Sequence, residues 1–256
     1  MTRQSESYKP ILLGLISPLA LLSLWELAGA RNWVNPILLP RPSQIIDTLG
    51  GLIASGSVFG PLTHTLALFA FGYGLACLIG TCLGIAMGTS RTLYGLLEPL
   101  VEILRPVPKS ALVPVLFLFL GIGKVTMITI VVLAVVFPVL ISTLQGVRGL
   151  DPVLLETART FQVSRLRMIV SVVLPASLPM ILAGMRVGLG LGLVLVILAE
   201  MLAGETGLGF QILDLQRSFH IRDMFAWIFI LVALGGSLTI LFNGMEKRLI
   251  PWRGKA

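Results

Sequence analysis

The sequence predicts an all-α integral membrane protein with about six transmembrane helices, each spanning helix needing roughly 20 apolar residues. Three observations carry this expectation. Of 256 residues, 56% are hydrophobic and only 12% are charged, against about 25% charged in a soluble domain. Mean hydropathy is +0.96. The apolar residues also fall into long runs, separated by intervals that hold most of the charge. Such a chain leaves no room for a large soluble domain and reads as one transmembrane domain over 1–256, with its core at 62–244.

The first apolar run, 11–28, follows a short polar leader (1–10) containing Arg3 and Lys9. No small-residue cleavage pattern follows it, and Trp25 and Glu26 close it, so an uncleaved first helix is expected. Residues 31–60 contain Pro36, Pro40 and Pro42 together with Arg31, Arg41 and Asp47. This segment is expected to be a loop with one amphipathic helix over 42–54.

A second span is expected over 62–87, ending at the polar turn of Ser90 and Arg91. The third apolar region, 96–120, contains Pro99, Pro106, Pro108 and Pro114 as well as Arg105 and Lys109. A continuous helix is not expected there, because each internal proline lacks a backbone donor and clashes with the preceding turn. A fourth span follows over 125–144, then the long polar interval 145–175, a fifth span over 180–202 and a sixth over 224–242. The chain closes on a basic tail, 245–256, with Lys247, Arg248, Arg253 and Lys255.

The net charge of +7 records topology rather than a nucleic-acid partner. Basic residues are scattered and do not interleave with aromatics. With the N-terminus inside, Arg3, Lys9, Arg91, Arg148, Arg159, Arg165, Arg167, Lys247, Arg248, Arg253 and Lys255 face the cytoplasm. Arg31, Arg41, Lys124, Arg217 and Arg222 then lie outside, which satisfies the positive-inside bias. Both termini and the 145–171 interval are therefore expected to be cytoplasmic.

Gly72, Ala76, Gly80, Gly84 and Gly88 recur at every fourth position of the second span, and Gly184, Gly188 and Gly192 do the same in the fifth. Residues spaced this way share a helix face, and a face without side chains lets two backbones approach closely in lipid. Tight packing within the subunit or between subunits is expected, although glycine is also simply frequent in membrane helices.

Chemistry for an enzyme is missing. The Gly121-Ile122-Gly123-Lys124 run lacks the first glycine of a phosphate loop, where Leu118 stands, and the following Ser/Thr, where Val125 stands. His64 and His220 form no metal motif, Cys77 and Cys82 sit inside one apolar run, and no nucleophile elbow occurs. No catalytic residue, cofactor or metal is expected.

The informative interval is cytoplasmic. Asp151 followed by Pro152 is a strong helix start, since the carboxylate caps a free amide and proline suits the first turn. The helix is expected to turn Leu154, Leu155, Ala158 and Phe161 to one side and Glu156, Arg159 and Thr160 to another. A second short helix is expected from Ser164 to about Val173, terminated by Pro175. Two short amphipathic helices at an angle form a rigid knob, or else lie on the membrane surface.

Glu156-Thr157-Ala158, Gln162, Val172 and Leu174-Pro175 resemble, at full spacing, the E-A-A-x3-G-x9-I-x-L-P loop of binding-protein-dependent ABC importer permeases. Thr157, Gln162 and Val172 depart from it. Further stretches, among them Leu39-Pro40-Arg41-Pro42-Ser43, Arg105-Pro106-Val107-Pro108, Gly184-Met185-Arg186-Val187-Gly188 and Gly207-Leu208-Gly209, resemble the taurine, aliphatic sulfonate and nitrate branch. The resemblance implies a type I ABC importer permease fold with a cytoplasmic coupling helix pair, in the bacterial inner membrane. It implies a small anion as cargo, a second permease copy (a homodimer), an ABC ATPase subunit dimer beneath and an extracytoplasmic binding protein above. It also implies ATPase coupling through Asp151, Leu155, Glu156, Ala158, Arg159, Phe161, Gln162 and Pro175. Where the family has glycine at the bend, Gln162 requires either a different bend or a less favoured backbone conformation.

Arg105, Lys109 and Arg186 fall within or at the edges of spans, where a cation costs roughly 2.5–3.5 kcal/mol at the bilayer centre. One reading is snorkelling to the headgroups, which suits Arg186. The other, drawn from the resemblance to sulfonate and nitrate carriers, is that the broken segment carrying Arg105 and Lys109 lines the path of an anion. Glu200, at the outer end of the fifth span, completes the candidate path residues. The competing functional class is an ATP-independent secondary transporter or channel, which would need no coupling knob.

Overall fold

The computed structural model describes residues 9–251, with side chains from residue 16 onward. Arg3, the side chain of Lys9, Arg253 and Lys255 lie outside the described residues. Among the described residues the elements are helical, and they divide into two compact units: 9–60 with 211–231, and 61–210 with 232–251.

The first unit holds α1 (Lys9–Ala30) and α2 (Pro42–Ala54). Helix α2 has the predicted limits, and it starts where it does because Pro42 occupies its first turn, where a missing N–H costs nothing. The Glu26 carboxylate accepts hydrogen bonds from the Ser43 amide (3.0 Å) and hydroxyl (2.9 Å), placing negative charge at the N-terminus of α2. Trp25 meets Phe225 edge-on, with ring centroids 5.9 Å apart.

The second unit is built around α3 (Phe59–Thr89), α4 (Arg91–Leu104), α5 (Val113–Leu120), α6 (Lys124–Arg148), α7 (Pro152–Thr160), α8 (Arg165–Met168) and α9 (Leu174–Ala203). Beyond α9 come α10 (Leu208–Arg217) and α11 (Ile221–Leu249), each shared with the first unit. Among the described residues, four continuous helices are long and apolar enough to cross a membrane: 59–89, 124–148, 165–203 and 221–249. The proline-rich third region is broken as expected, with α4 and the segment Lys109–Leu120 meeting at 85°. Helix α1, whose described apolar part is Ile16–Ala30, supplies the remaining apolar segment.

Helix α6 lies between the two glycine stripes. A Cβ added at Gly84 would lie 2.8 Å from the Leu140 carbonyl oxygen, and one at Gly80 would lie 2.9 Å from that of Val136. On the other side, a Cβ at Gly184 would lie 2.7 Å from the Pro138 carbonyl oxygen, and one at Gly188 2.8 Å from Val135 Cγ1. Both stripes therefore make contacts within the subunit. Val131, Val135 and Val139 of α6 are fully buried between them.

Two expectations are corrected here. Pro175 does not end a helix, because α8, a π turn over Ile169–Val173 and α9 form one continuous helix of 39 residues from Arg165 to Ala203. The wide turn closes with the Leu174 amide donating to the Ile169 carbonyl, one residue further back than an α-helical bond. That change of register, directly before Pro175, accommodates both its missing donor and its ring. Nor is Phe161 packed away with Ala158 on the side of α7 assigned to both. It lies beyond the last helical turn and is 78% exposed, and Leu154 is 41% exposed, while Ala158 is buried.

Candidate functional site

The helix pair is assembled by local rules. Asp151 Oδ1 accepts the Val153 amide at 2.9 Å, capping α7. At the other end the Val163 amide reaches back to the Ala158 carbonyl (3.3 Å) and the Gln162 amide to the Arg159 carbonyl (2.8 Å). These paired bonds form a Schellman termination, in which the residue after the C-cap is left-handed and is usually glycine. Here that residue is Gln162, at φ 53°. The bend is thus kept, and the glutamine adopts the less favoured conformation anticipated from the sequence. Ser164 then precedes α8, and the chain runs directly into α9.

The pair presents two faces. Leu155, Arg159, Val163, Arg165, Met168 and Val173 line a cavity of about 850 Å³ that extends to Gly88, Thr89, Ser90 and Val147. Away from that cavity the pair leaves large apolar side chains open, with Val153 65%, Phe161 78% and Leu166 75% exposed. Glu156 is exposed on α7. Pro175 shares a shallow groove with Leu154, Ser171, Val172 and Ala176. The structure thereby gathers Asp151 through Gln162 on one element and sets Pro175 beside it.

The four candidate path residues are not gathered. Arg105 and Glu102 are 3.8 Å apart one helical turn from each other, both more than half exposed. The Lys109 ammonium lies 4.4 Å from the Phe137 ring centroid and donates to the Leu104 carbonyl. Arg186 pairs with Glu246, joining α9 to the end of α11. Glu200 has no exposed surface and is enclosed by α3 and the turn after α9.

Sequence reasoning missed the partners of these last two residues. Glu246 and Thr65 lie far from Arg186 and Glu200 in sequence, and neither belongs to a recognisable spacing. A buried carboxylate needing donors was the available signal for the second pair.

Residues 80–254 match the family model of the binding-protein-dependent transport system inner membrane component. A Bacillus subtilis protein named as an aliphatic sulfonates transport permease is 33% identical over 94% of this chain and 87% of its own length. The taurine transport system permease of Escherichia coli is 31% identical over 92% of this chain and 87% of its own. The nitrate import permease of Leptolyngbya laminosa is 29% identical over 90% and 85%. Among solved structures, an amino acid ABC transporter chain superposes with a TM-score of 0.58 at 17% identity, covering 78% of this chain and 95% of that one. A chain of the inward-facing MetNI methionine ABC transporter does so with 0.54 at 16%, covering 83% and 95%. The fold is that of type I importer permeases, and the chain belongs to the binding-protein-dependent transport system inner membrane component family.

Proposed function

We propose that the chain is the permease subunit of an ATP-driven importer of a small anion, of the sulfonate, taurine or nitrate class, and that it is powered by a separate ATPase. The observation that carries this reading is the helix pair. Its bend is locked by the Gln162 termination, and its apolar residues Phe161 and Leu166 are left uncovered. A rigid element with an open apolar face suits insertion into a cleft of a partner, whereas a helix floating on lipid needs no fixed bend.

In this reading Asp151, Leu155, Ala158 and Gln162 set the shape of the knob. Glu156 and Phe161 meet the ATPase, with Arg159 a polar partner at the rim of that contact, and Pro175 seats the second helix against Leu154. Two copies form the pore, a binding protein delivers cargo from outside, and both chain termini face the cytoplasm. Residues 62–244 form the permease core, with 145–175 as the coupling interval and 245–256 as a basic tail. The substrate class is supported by the names of the relatives, and Arg105 on the broken third segment offers an exposed cation for an anion.

The test is reconstitution in proteoliposomes. The permease should co-purify with an ABC ATPase, and uptake should require ATP and a loaded binding protein. Uptake of comparable rate by the permease alone would instead favour a secondary transporter or channel.

A further inference from the structure

Among the described residues, Glu200 is the charged side chain with no exposed surface. Burial of a carboxylate is costly unless donors meet it, and this one is met by two elements at once. The Thr65 hydroxyl on α3 lies 2.8 and 2.9 Å from its two oxygens, and the Gly209 amide donates to Oε2 at 3.0 Å. The Leu208 amide in turn donates to Thr65 Oγ1 at 2.9 Å. His64 Nδ1 stands 3.5 Å from Oε1.

The turn after α9 is moulded on this carboxylate. Gly207, at φ +114°, lies where any side chain would collide with the Glu200 carboxylate, and a Cβ at Gly209 would collide with the Ile197 carbonyl oxygen. The same helix that ends here begins at Arg165, directly after the Gln162 bend. One continuous element therefore carries the helix pair at one end and the Glu200 cage at the other.

We infer that Glu200 is a positioning residue, the outer anchor of a helical lever whose inner end is the helix pair. Resting on the reading that this pair docks an ATPase, the inference assigns the cage the task of passing displacement of the pair to the turn 204–209 and to α3. A packed helix moves as a body, and a small set of buried hydrogen bonds is either made or broken, so the anchor converts a shift at one end into a discrete change at the other. Without it the turn would slacken and the two ends would lose register.

The experiment uses the permease–ATPase complex with Thr65→Val, Thr65→Ser and Glu200→Gln. Thr65→Val removes both the donor to Glu200 and the acceptor for Leu208, and Thr65→Ser keeps them. With Thr65→Val the complex should assemble and keep its basal ATP hydrolysis, while stimulation by loaded binding protein falls by about tenfold, within the usual range of coupling between sites. Thr65→Ser should restore it, and Glu200→Gln should fall between. Hydrogen exchange of the Leu208 and Gly209 amides should accelerate in Thr65→Val. Full stimulation in both Thr65→Val and Glu200→Gln would overturn the inference. Equal loss of basal and stimulated hydrolysis in Thr65→Val and Thr65→Ser alike would also overturn it, as that marks a fold defect. If the wild-type permease binds no ATPase, the functional reading fails and the lever with it, whereas faster amide exchange in Thr65→Val would still identify the local cage.

Discussion

The Gln162 amide donates to the Arg159 carbonyl at 2.8 Å while Gln162 itself holds a left-handed backbone at φ 53°. A side chain in that conformation costs about 1–2 kcal/mol. The termination of α7 therefore persists against local strain, as expected where a bend matters more than stability.

Gln162→Gly should relieve that strain and raise stability by about 0.5–1 kcal/mol, part of the gain being offset by the greater freedom of glycine in the unfolded chain. The midpoint of unfolding in detergent measures this. A fall in the midpoint would mean that the glutamine side chain itself makes a contact of greater worth.

The glycine stripes predict a contrast within one helix. Gly184→Ala would press a methyl group against the Pro138 carbonyl and the Ser142 side chain, and overpacking of this kind costs roughly 1–3 kcal/mol. Gly190→Ala, with nothing within 4 Å of the added carbon, should instead gain up to about 1 kcal/mol of helix propensity. Thermal unfolding of the two variants should move in opposite directions.

Arg186 should behave as a tie between α9 and α11. Its side chain is 53% exposed and that of Glu246 is 16% exposed, so solvent screening limits the pair to about 1 kcal/mol. A double-mutant cycle with Arg186→Gln and Glu246→Gln should return a coupling energy of that order. A coupling indistinguishable from zero would leave Arg186 free for another role.

Arg105 and Lys109 should part company. Arg105 is more than half exposed, with the Glu102 carboxylate a loose partner at 3.8 Å, whereas the Lys109 ammonium is occupied by the Leu104 carbonyl and the Phe137 ring. Arg105→Gln should raise the apparent KM for the anion by about tenfold, the worth of roughly 1.4 kcal/mol of binding, with ATP coupling intact. Lys109→Gln should change it less. Unchanged affinity in Arg105→Gln would remove it from the path.

Much of this was readable in the residues, for physical reasons that differ from element to element. Proline placement foretold both the start of α2 and the break between α4 and α5, because a missing donor acts locally. The Asp151 cap and the anomaly at Gln162 were visible because each concerns one backbone position. The course of the chain through Pro175 was not, since a π turn depends on a register change that no composition announces. The outward position of Phe161 was missed because a helical face was extended past the last turn. The cage around Glu200 and the Arg186 tie depend on helices brought together across long stretches of sequence, and side-chain partners at that range leave no periodic trace.

If α7 and α8 dock an ATPase, their exposed side chains lie against its cleft, and cysteine cross-linking in a background with Cys77 and Cys82 replaced by alanine reads that contact. A permease carrying Glu156→Cys or Phe161→Cys should form a disulfide-length adduct with a cleft cysteine of its co-purified ATPase, with a yield that changes when ATP binds. Ile53→Cys, on α2, should give none. Absence of any adduct from both helix-pair positions, in a complex that hydrolyses ATP, would mean that the helix pair is not the element that docks the ATPase.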